Sequence, residues 1–559
     1  MLGSGGKLEY SKRRVIYSHM CGLLFAMMIA CGRSLDSYGN ISFKNILLPV
    51  ILYTHVIAEL LSLLWESLIR MERKLEELKT VKIIDRITGW LLDHPYMITV
   101  LLISFWLPCF IADFPGGFRY DATGELNQMT KGYNGNYPLL HSAVITWLLP
   151  FLYNITGSYN TGVAVYVSVQ MIMIACMYTH IICFFGHKIS RLLTFVIMLY
   201  CSFFPVIQIL VVQEVRDVLF SALFMYAVFL FCIMCCDTRN FFTGIFKPVL
   251  LGIVFVLALL ARNNNTGMVM LIAVLVAGLV VVLVNRKHCL KGSICFLVTS
   301  VISYLITGFV LTSICQPLKP ATEGASLSLF SQSLARAYLY DSDKWTDQEV
   351  EELGKYLELK DLGYYPENAD PTKSKLKIKG NLADFLRFWH RTGLKHAGCY
   401  IDAILANTQN MWYPDSVIDG YKQRFKKKGQ PYYEFDKNYY SISAKLEKPI
   451  VHMNYLPAVL NYYTQIGLYI SFEKIPVVSM LFSIGFQFWI VINNFFYIIY
   501  RRQRHILIPL SLIMAYMMIS AFVPLILLRY FAAVFFCFPM LLVFTLEPNH
   551  ISEHGIMYY

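Results

Sequence analysis

The stretch DFPGGFRYDATGELNQMTKGYNGNYPLLHS, residues 113–142, decides how this chain is read. It follows an apolar run that ends near Ile111 and precedes more apolar sequence. It is too polar for lipid, where its charged and hydrogen-bonding groups would go unsolvated. It nevertheless carries Asp121, Glu125 and His141, which puts ionisable groups where water meets lipid. A carboxylate held at that boundary can act on the polar end of a lipid-linked molecule.

Outward from this loop, composition fixes the class. Of 559 residues, 57% are hydrophobic and only 15% charged, with a mean hydropathy of +0.52. A soluble protein of this length would need more charge to cover its surface. Apolar runs of about 20 residues, the length that crosses a bilayer core, recur along the chain. They predict spans near 15–33, 45–66, 96–112, 158–182, 190–210, 216–236, 247–262, 266–285, 293–314, 474–499, 505–525 and 527–546. Residues 138–155 read either as a further span or as an amphipathic helix on the surface. The expected fold is an α-helical polytopic membrane protein of about 12 transmembrane helices with a mainly helical extracytoplasmic domain.

Lys and Arg set the orientation. Lys12, Arg13 and Arg14 precede the first span, and Arg70, Arg73, Lys74, Lys79 and Lys82 follow the second. Lys188 and Arg191, Arg239 and Lys247, Arg286, Lys287 and Lys291, and Arg501, Arg502 and Arg504 fill alternate loops. Placing all of them in the cytoplasm satisfies the positive-inside rule throughout. Both termini are then cytoplasmic, in a multi-pass protein of the cell (plasma) membrane. The net charge of +12 fits basic loops facing anionic lipid and requires no nucleic acid. The first apolar run reads as a retained span and not as a cleaved signal.

Four regions follow: an N-terminal pair of spans with a cytoplasmic linker (1–95), a membrane core (96–314) with a first outer loop (113–157), an extracytoplasmic domain (315–473), and C-terminal spans with a tail (474–559). The domain is large enough to fold by itself. Within it, 343–359 reads as a helix started by Thr346 with Glu349 three residues on. Residues 382–405 carry apolar side chains at helical spacing. QNMWYPD (409–415) reads as an aromatic turn, because Pro414 disfavours helix before it. Lys422–Lys428 is a basic run that reads as a solvated face or a lipid-headgroup contact. Most of the 14 cysteines lie in or beside spans and read as small core residues. Cys232, Cys235 and Cys236 have no His or acidic partner at metal-site spacing. Cys315 and Cys399 both fall in the outer loop, where a disulfide is allowed.

With this orientation, polar groups from four hairpins meet at the outer side. They are Asp121 and Glu125 in the first loop; Glu214, Arg216 and Asp217; Arg262 with Asn263, Asn264 and Asn265; and Arg529 with Tyr530. Transfer of a sugar from a lipid phosphate needs a base for the acceptor hydroxyl. It also needs cations for the departing phosphate, which Arg forks suit. Asp121 or Glu125 can be the base, Arg262, Arg529 and Arg216 the phosphate holders, and Asn263 and Asn264 the sugar-orienting amides. Each has a structural alternative. Arg216 can pair with Asp217 or Glu214, Arg262 and its asparagines can cap half-helices, and Arg529 can snorkel. Asp121 can cap a helix starting at Ala122, and His141 can be a packed histidine.

The same loop resembles the first luminal loop of type C (GT-C) glycosyltransferases, polytopic enzymes that use polyprenyl-phosphate sugars. The chain resembles still more a group of uncharacterised bacterial proteins related to that fold. Matching segments are FPGGFRYDATGELNQ (114–128), YPLLHS (137–142), VRDVLF (215–220), ARNNN (261–265), QSLAR (332–336), ADPTK (369–373), NTQNMWYPD (407–415) and LRYFAAVFFCFP (528–539). Their order across roughly 96–546 is the specific part, and the N-terminal pair of spans lies outside it. The resemblance places the catalytic acid on Asp121, with Asp113 as the other candidate, and phosphate-binding positions on Arg262 and Arg529. The related proteins carry His-Pro where this chain has Tyr137-Pro138; a phosphate contact by that His would fall to His141 here. The resemblance implies an inverting transfer from a polyprenyl-phosphate-linked donor to an envelope glycan, lipid or protein acceptor. No metal or other cofactor is indicated; some GT-C enzymes use a divalent metal and others do not. Two other functions fit the same composition: a transporter or flippase for a lipid-linked glycan, and a non-catalytic subunit of an envelope-polymer assembly complex.

Overall fold

Lipid leaves an apolar run no external partner for its N–H and C=O groups, so each run closes its own hydrogen bonds as a helix. A computed structural model describes residues 4–77, 82–118, 121–262, 271–280, 290–315, 327–366, 368–378, 381–414, 446, 448–467, 475 and 477–551. The chain opens with a long hairpin, α1 (Ser4–Tyr38) and α2 (Phe43–Glu77), followed by α3 (Lys82–Asp93) and α4 (Pro95–Ala112). The first loop holds β1 (Gly117–Phe118), α5 (Asp121–Leu126) and α6 (Gln128–Lys131), then α7 (Leu139–Thr156). Next come α8 (Tyr159–Gly186), α9 (Arg191–Phe203), α10 (Pro205–Val211), β2 (Gln213–Glu214), α11 (Arg216–Cys236), α12 (Thr238–Phe241) and α13 (Phe246–Leu260). The apolar helix α14 is Leu271–Val280, and α15 is Leu290–Ile314.

Eight of the described helices are long and apolar enough to cross a membrane, or nine if α9 and α10 count as one broken span. The protein is therefore an α-helical polytopic membrane protein. Several expected spans take another form. The run 190–210 bends by 51° between α9 and α10, because Pro205 excludes helical backbone at Phe204, which is extended (ψ 117°). Residues 247–262 give only the 15 residues of α13. Of 266–285, only α14 lies among the described residues.

Residues 139–156 are helical and apolar enough to span, yet the chain leaves and rejoins the bundle at one end. Asp113, just after α4, pairs with His452 at 2.8 Å. Asn160, in the first turn of α8, bonds to both the amide and the carbonyl of Val451. Two adjacent residues thus hold the end of α4 beside the start of α8. The excursion between them is fixed to α10's end by parallel pairing of β1 with β2. Gly116 makes that approach possible. It has φ +112°, and a Cβ there would stand 2.6 Å from Val167 Cγ2.

The polar insertion builds its own core. Its helices are α16 (Ser328–Tyr340), α17 (Asp347–Tyr356), α18 (Asp370–Lys373), α19 (Leu382–Lys395) and α20 (Ala397–Trp412). Leu334, Leu353, Leu357, Phe385, Phe388 and Tyr400 pack together inside it. Thr346 and Glu349 form the expected capping box, with both reciprocal bonds made. The expected helix 382–405 is two helices broken at His396. The expected turn at 409–415 is helical as far as Trp412. Pro414 restricts only the residue before it, and Tyr413 is extended there (ψ 110°). Cys315 and Cys399 are free thiols. The basic run 422–428 lies outside the described residues.

This unit docks on one end of the bundle. Asp402 accepts from the Ile41 amide, Arg336 donates to Gly39 O, and Ala369 N donates to Pro524 O. The chain then continues through α21 (Pro457–Gly467), α22 (Val478–Phe482), α23 (Ile484–Arg501), α24 (Arg504–Ser520) and α25 (Ala532–Leu546). Where a span from 474 was expected, the long helix starts only at Ile484, capped by Ser483, whose Oγ accepts from Phe486 N. At the bundle's other end stand the basic loops: Lys188 pairs with Asp237, Arg14 with Glu66, and Arg501 with Glu72.

Candidate functional site

The domain end of the bundle gathers most of the polar groups singled out in the sequence. The loop helix α5 presents Asp121 and Glu125 one turn apart, on one face. Arg216 opens α11, and its guanidinium reaches both: Nη2 lies 3.0 Å from Asp121 Oδ2 and Nη1 3.8 Å from Glu125 Oε1. Arg529, in the 3-10 turn before α25, comes from the opposite side. Its Nη1 is 3.4 Å from Asp121 Oδ2 and its Nε 3.8 Å from Asp217 Oδ2. The expected pairing of Arg216 with Asp217 or Glu214 is replaced by this arrangement. Arg529 does not snorkel; its side chain is 12% exposed and faces carboxylates.

Behind Asp121 lies a closed polar chain. His141 joins Glu125 and Tyr166, with Nδ1 2.5 Å from Glu125 Oε2 and Nε2 2.9 Å from Tyr166 OH. Glu214 Oε1 is 3.4 Å from the same Nε2. His141, Glu125 and Glu214 are all buried. Burial, with the neighbouring Glu125 and Asp121 carboxylates, pushes the Glu214 carboxyl well above the ordinary range. A neutral Glu214 relieves a crowd of four acids facing few cations.

Asp121 differs from the other acids. Its side chain is 26% exposed, against 1% for Glu125 and 4% for Asp217. Burial raises its pKa, but the guanidiniums of Arg529 and then Arg216 more than offset that and hold it below the usual carboxylate range. It is an ionised oxygen acceptor within reach of solvent.

Aromatic rings brace the cations. Arg216 lies over the Tyr137 ring at 5.5 Å. Gly124 makes room for that ring, since a Cβ there would fall 2.1 Å from Tyr137 Oη. Tyr137 thus seats the Arg216 guanidinium. Arg262, just beyond α13, donates to Tyr516 OH at 2.8 Å and lies over Phe220, Tyr516 and Tyr530. Arg529 lies over the same Tyr530 ring, 5.0 Å from its centroid. Tyr530 thus joins the two arginines.

Asp113 does not enter the cluster; it is fully buried against His452. Asn263 and Asn264 lie outside the described residues. Sequence reasoning missed Tyr166 and Tyr516, each a phenol inside an apolar helix, and only that polarity marks them. Among the described residues, no three His, Cys, Asp or Glu side chains converge as metal ligands would.

A model of a family of unknown function (DUF6020) matches residues 134–554. Its match takes in Tyr137, His141, Glu214, Arg216, Asp217, Arg262 and Arg529, and begins after Asp121 and Glu125. No curated protein and no solved structure matches the chain.

Proposed function

The chain belongs to that family of unknown function, and we propose that it is a membrane glycosyltransferase. It moves a sugar from a polyprenyl-phosphate donor to an envelope glycan, lipid or protein acceptor at the outer face. One observation carries the proposal: a partly open, ionised Asp121 held between Arg216 and Arg529 at one end of a membrane bundle. The donor class and the inversion rest on the GT-C resemblance.

In a single displacement, Asp121 takes the proton of the acceptor hydroxyl as its oxygen bonds to the anomeric carbon. The bond from that carbon to the phosphate oxygen breaks, and the electron pair leaves with the phosphate. Arg529 and Arg216 lie where they can take up that charge, with Arg262 next in line behind Tyr530. An apolar cavity of about 500 Å³ opens between α1, the domain helices and α24, lined by Met27, Leu329, Trp389, Leu405, Trp412 and Phe522. It suits a prenyl chain.

The test is turnover of a panel of undecaprenyl-phosphate sugars by the protein in lipid, with envelope extracts as acceptors and Asp121→Asn alongside. Consumption by wild type and none by a folded Asp121→Asn supports the reading. Equal rates move the base to Glu125. No turnover with retained binding of lipid-linked sugar favours transport or assembly.

A further inference from the structure

The N-terminal hairpin lies outside the family match and carries polar groups that the site does not use. Its two helices touch closely: a Cβ on Gly22 would stand 2.9 Å from Ala58 N and Thr54 O. The other side of α2 faces away from the protein, and only 11% of its most apolar stretch is buried. Leu48, Leu52, Val56, Leu60 and Leu63 are exposed along it. Within this lipid-facing surface stand His55 and Glu59, both exposed and one turn apart on one face. His19 of α1 joins them, with Nε2 3.4 Å from His55 Nδ1.

Glu59 has no hydrogen-bond or ion-pair partner among the described residues. It lies about 24 Å along the helix from Phe43 and about 10 Å from Glu66, which pairs with Arg14 and Arg70 at the basic end. Lys and Arg escape such depth on long stems, but a Glu stem is too short. An ionisable group facing lipid is expensive unless something pairs with it.

We propose that this face is an interface between two copies of the chain, with Glu59 of one copy meeting His55 of the other, whose ring His19 holds in place. The patch holds both an acid and its imidazole partner, so it complements itself about a two-fold axis along the membrane normal. His55 and Glu59 differ in level by about 6 Å, which the two side chains together can bridge. His19 Nδ1 already meets the Val15 carbonyl at 2.8 Å, so His55 Nε2 is the imidazole atom left to face outward, and a foreign helix bearing only Lys or Arg would satisfy Glu59 while offering that nitrogen no acceptor.

The experiment is single-molecule photobleaching of the labelled full-length protein in liposomes over a range of protein-to-lipid ratios. Wild type should bleach in two steps. Glu59→Leu, which replaces a carboxyl with a lipid-compatible side chain, should need about tenfold higher protein density to pair, and His55→Leu should shift the same way. Leu305→Ala, on the equally lipid-exposed α15, should leave pairing unchanged. Single-step bleaching of wild type at every density overturns the proposal. So does unchanged pairing in Glu59→Leu, or pairing that appears only when a different membrane protein is added.

Discussion

Arg216 Nη2 stands 3.0 Å from Asp121 Oδ2, tying the first residue of the most buried span to the first residue of a six-residue loop helix. The loop that carries the proposed base is therefore positioned by the membrane core, and not by its own short helix. A second guanidinium, from Arg529, closes on the same oxygen atom at 3.4 Å. One carboxylate so placed is both oriented and kept ionised.

The pH profile should report this directly. Burial raises the Asp121 pKa, while Arg529 and then Arg216 lower it, and the arginines win. A depressed pKa means that the ion pairs stabilise above the ordinary carboxylate value of about 3.9 and are lost as pH falls through the folded-state value. Turnover should accordingly hold on the acid side to below about pH 4. In Arg529→Gln the opposing charge is halved and burial gains weight, so the acid limb should move upward. Coincident acid limbs in the two proteins would sink this account.

Arg216→Lys separates charge from geometry. The guanidinium reaches Asp121 and Glu125 from two nitrogens while its face rests on Tyr137. An ammonium keeps the charge but offers neither fork nor plane. Turnover should drop at least about tenfold with little change in thermal stability. Full activity in Arg216→Lys would show that only the charge matters.

His141 should behave in the opposite way. It is fully buried between Glu125 and Tyr166. Removing it strands a buried carboxylate, which costs about 3 kcal/mol or more. His141→Leu should lower the unfolding midpoint in detergent clearly. Equal midpoints for His141→Leu and wild type would mean that Glu125 finds another partner or is protonated.

Much of this was legible in the sequence. Run length and Lys/Arg placement mark the helices and their two ends, because lipid forces both. Asp121, Arg216 and Arg529 stand out because charge beside long apolar runs is rare. Their pairing is not legible. Arg216 has acids at 214 and 217 beside it in sequence, yet it turns to 121 and 125, since packing of separate helices decides which carboxylate is near. The break at Phe204–Pro205 follows from proline. The same-side return of 113–159 does not, because it depends on bonds from Asp113 and Asn160 to residues about 290 positions or more away. Tyr166 carries no signal beyond being a phenol among apolar residues, and its role needs His141 beside it.

Sidedness is the remaining consequence. The acid–arginine cluster and the helical domain share one end of the bundle, and Lys188, Arg239, Lys247 and Arg501 mark the other. We propose, on the positive-inside rule, that the basic end is cytoplasmic and Asp121 faces outward, where a polyprenyl-linked donor would be used. An epitope inserted at the exposed turn Lys360–Asp361 should bind antibody on intact cells. One inserted beside the exposed Ile245, between α12 and α13, should bind only after permeabilisation. The reverse pattern would place Asp121 on the cytoplasmic side. The proposed donor and acceptor would then have to be cytoplasmic molecules, and the outer-face reading would fall even if Asp121 proved to be the base.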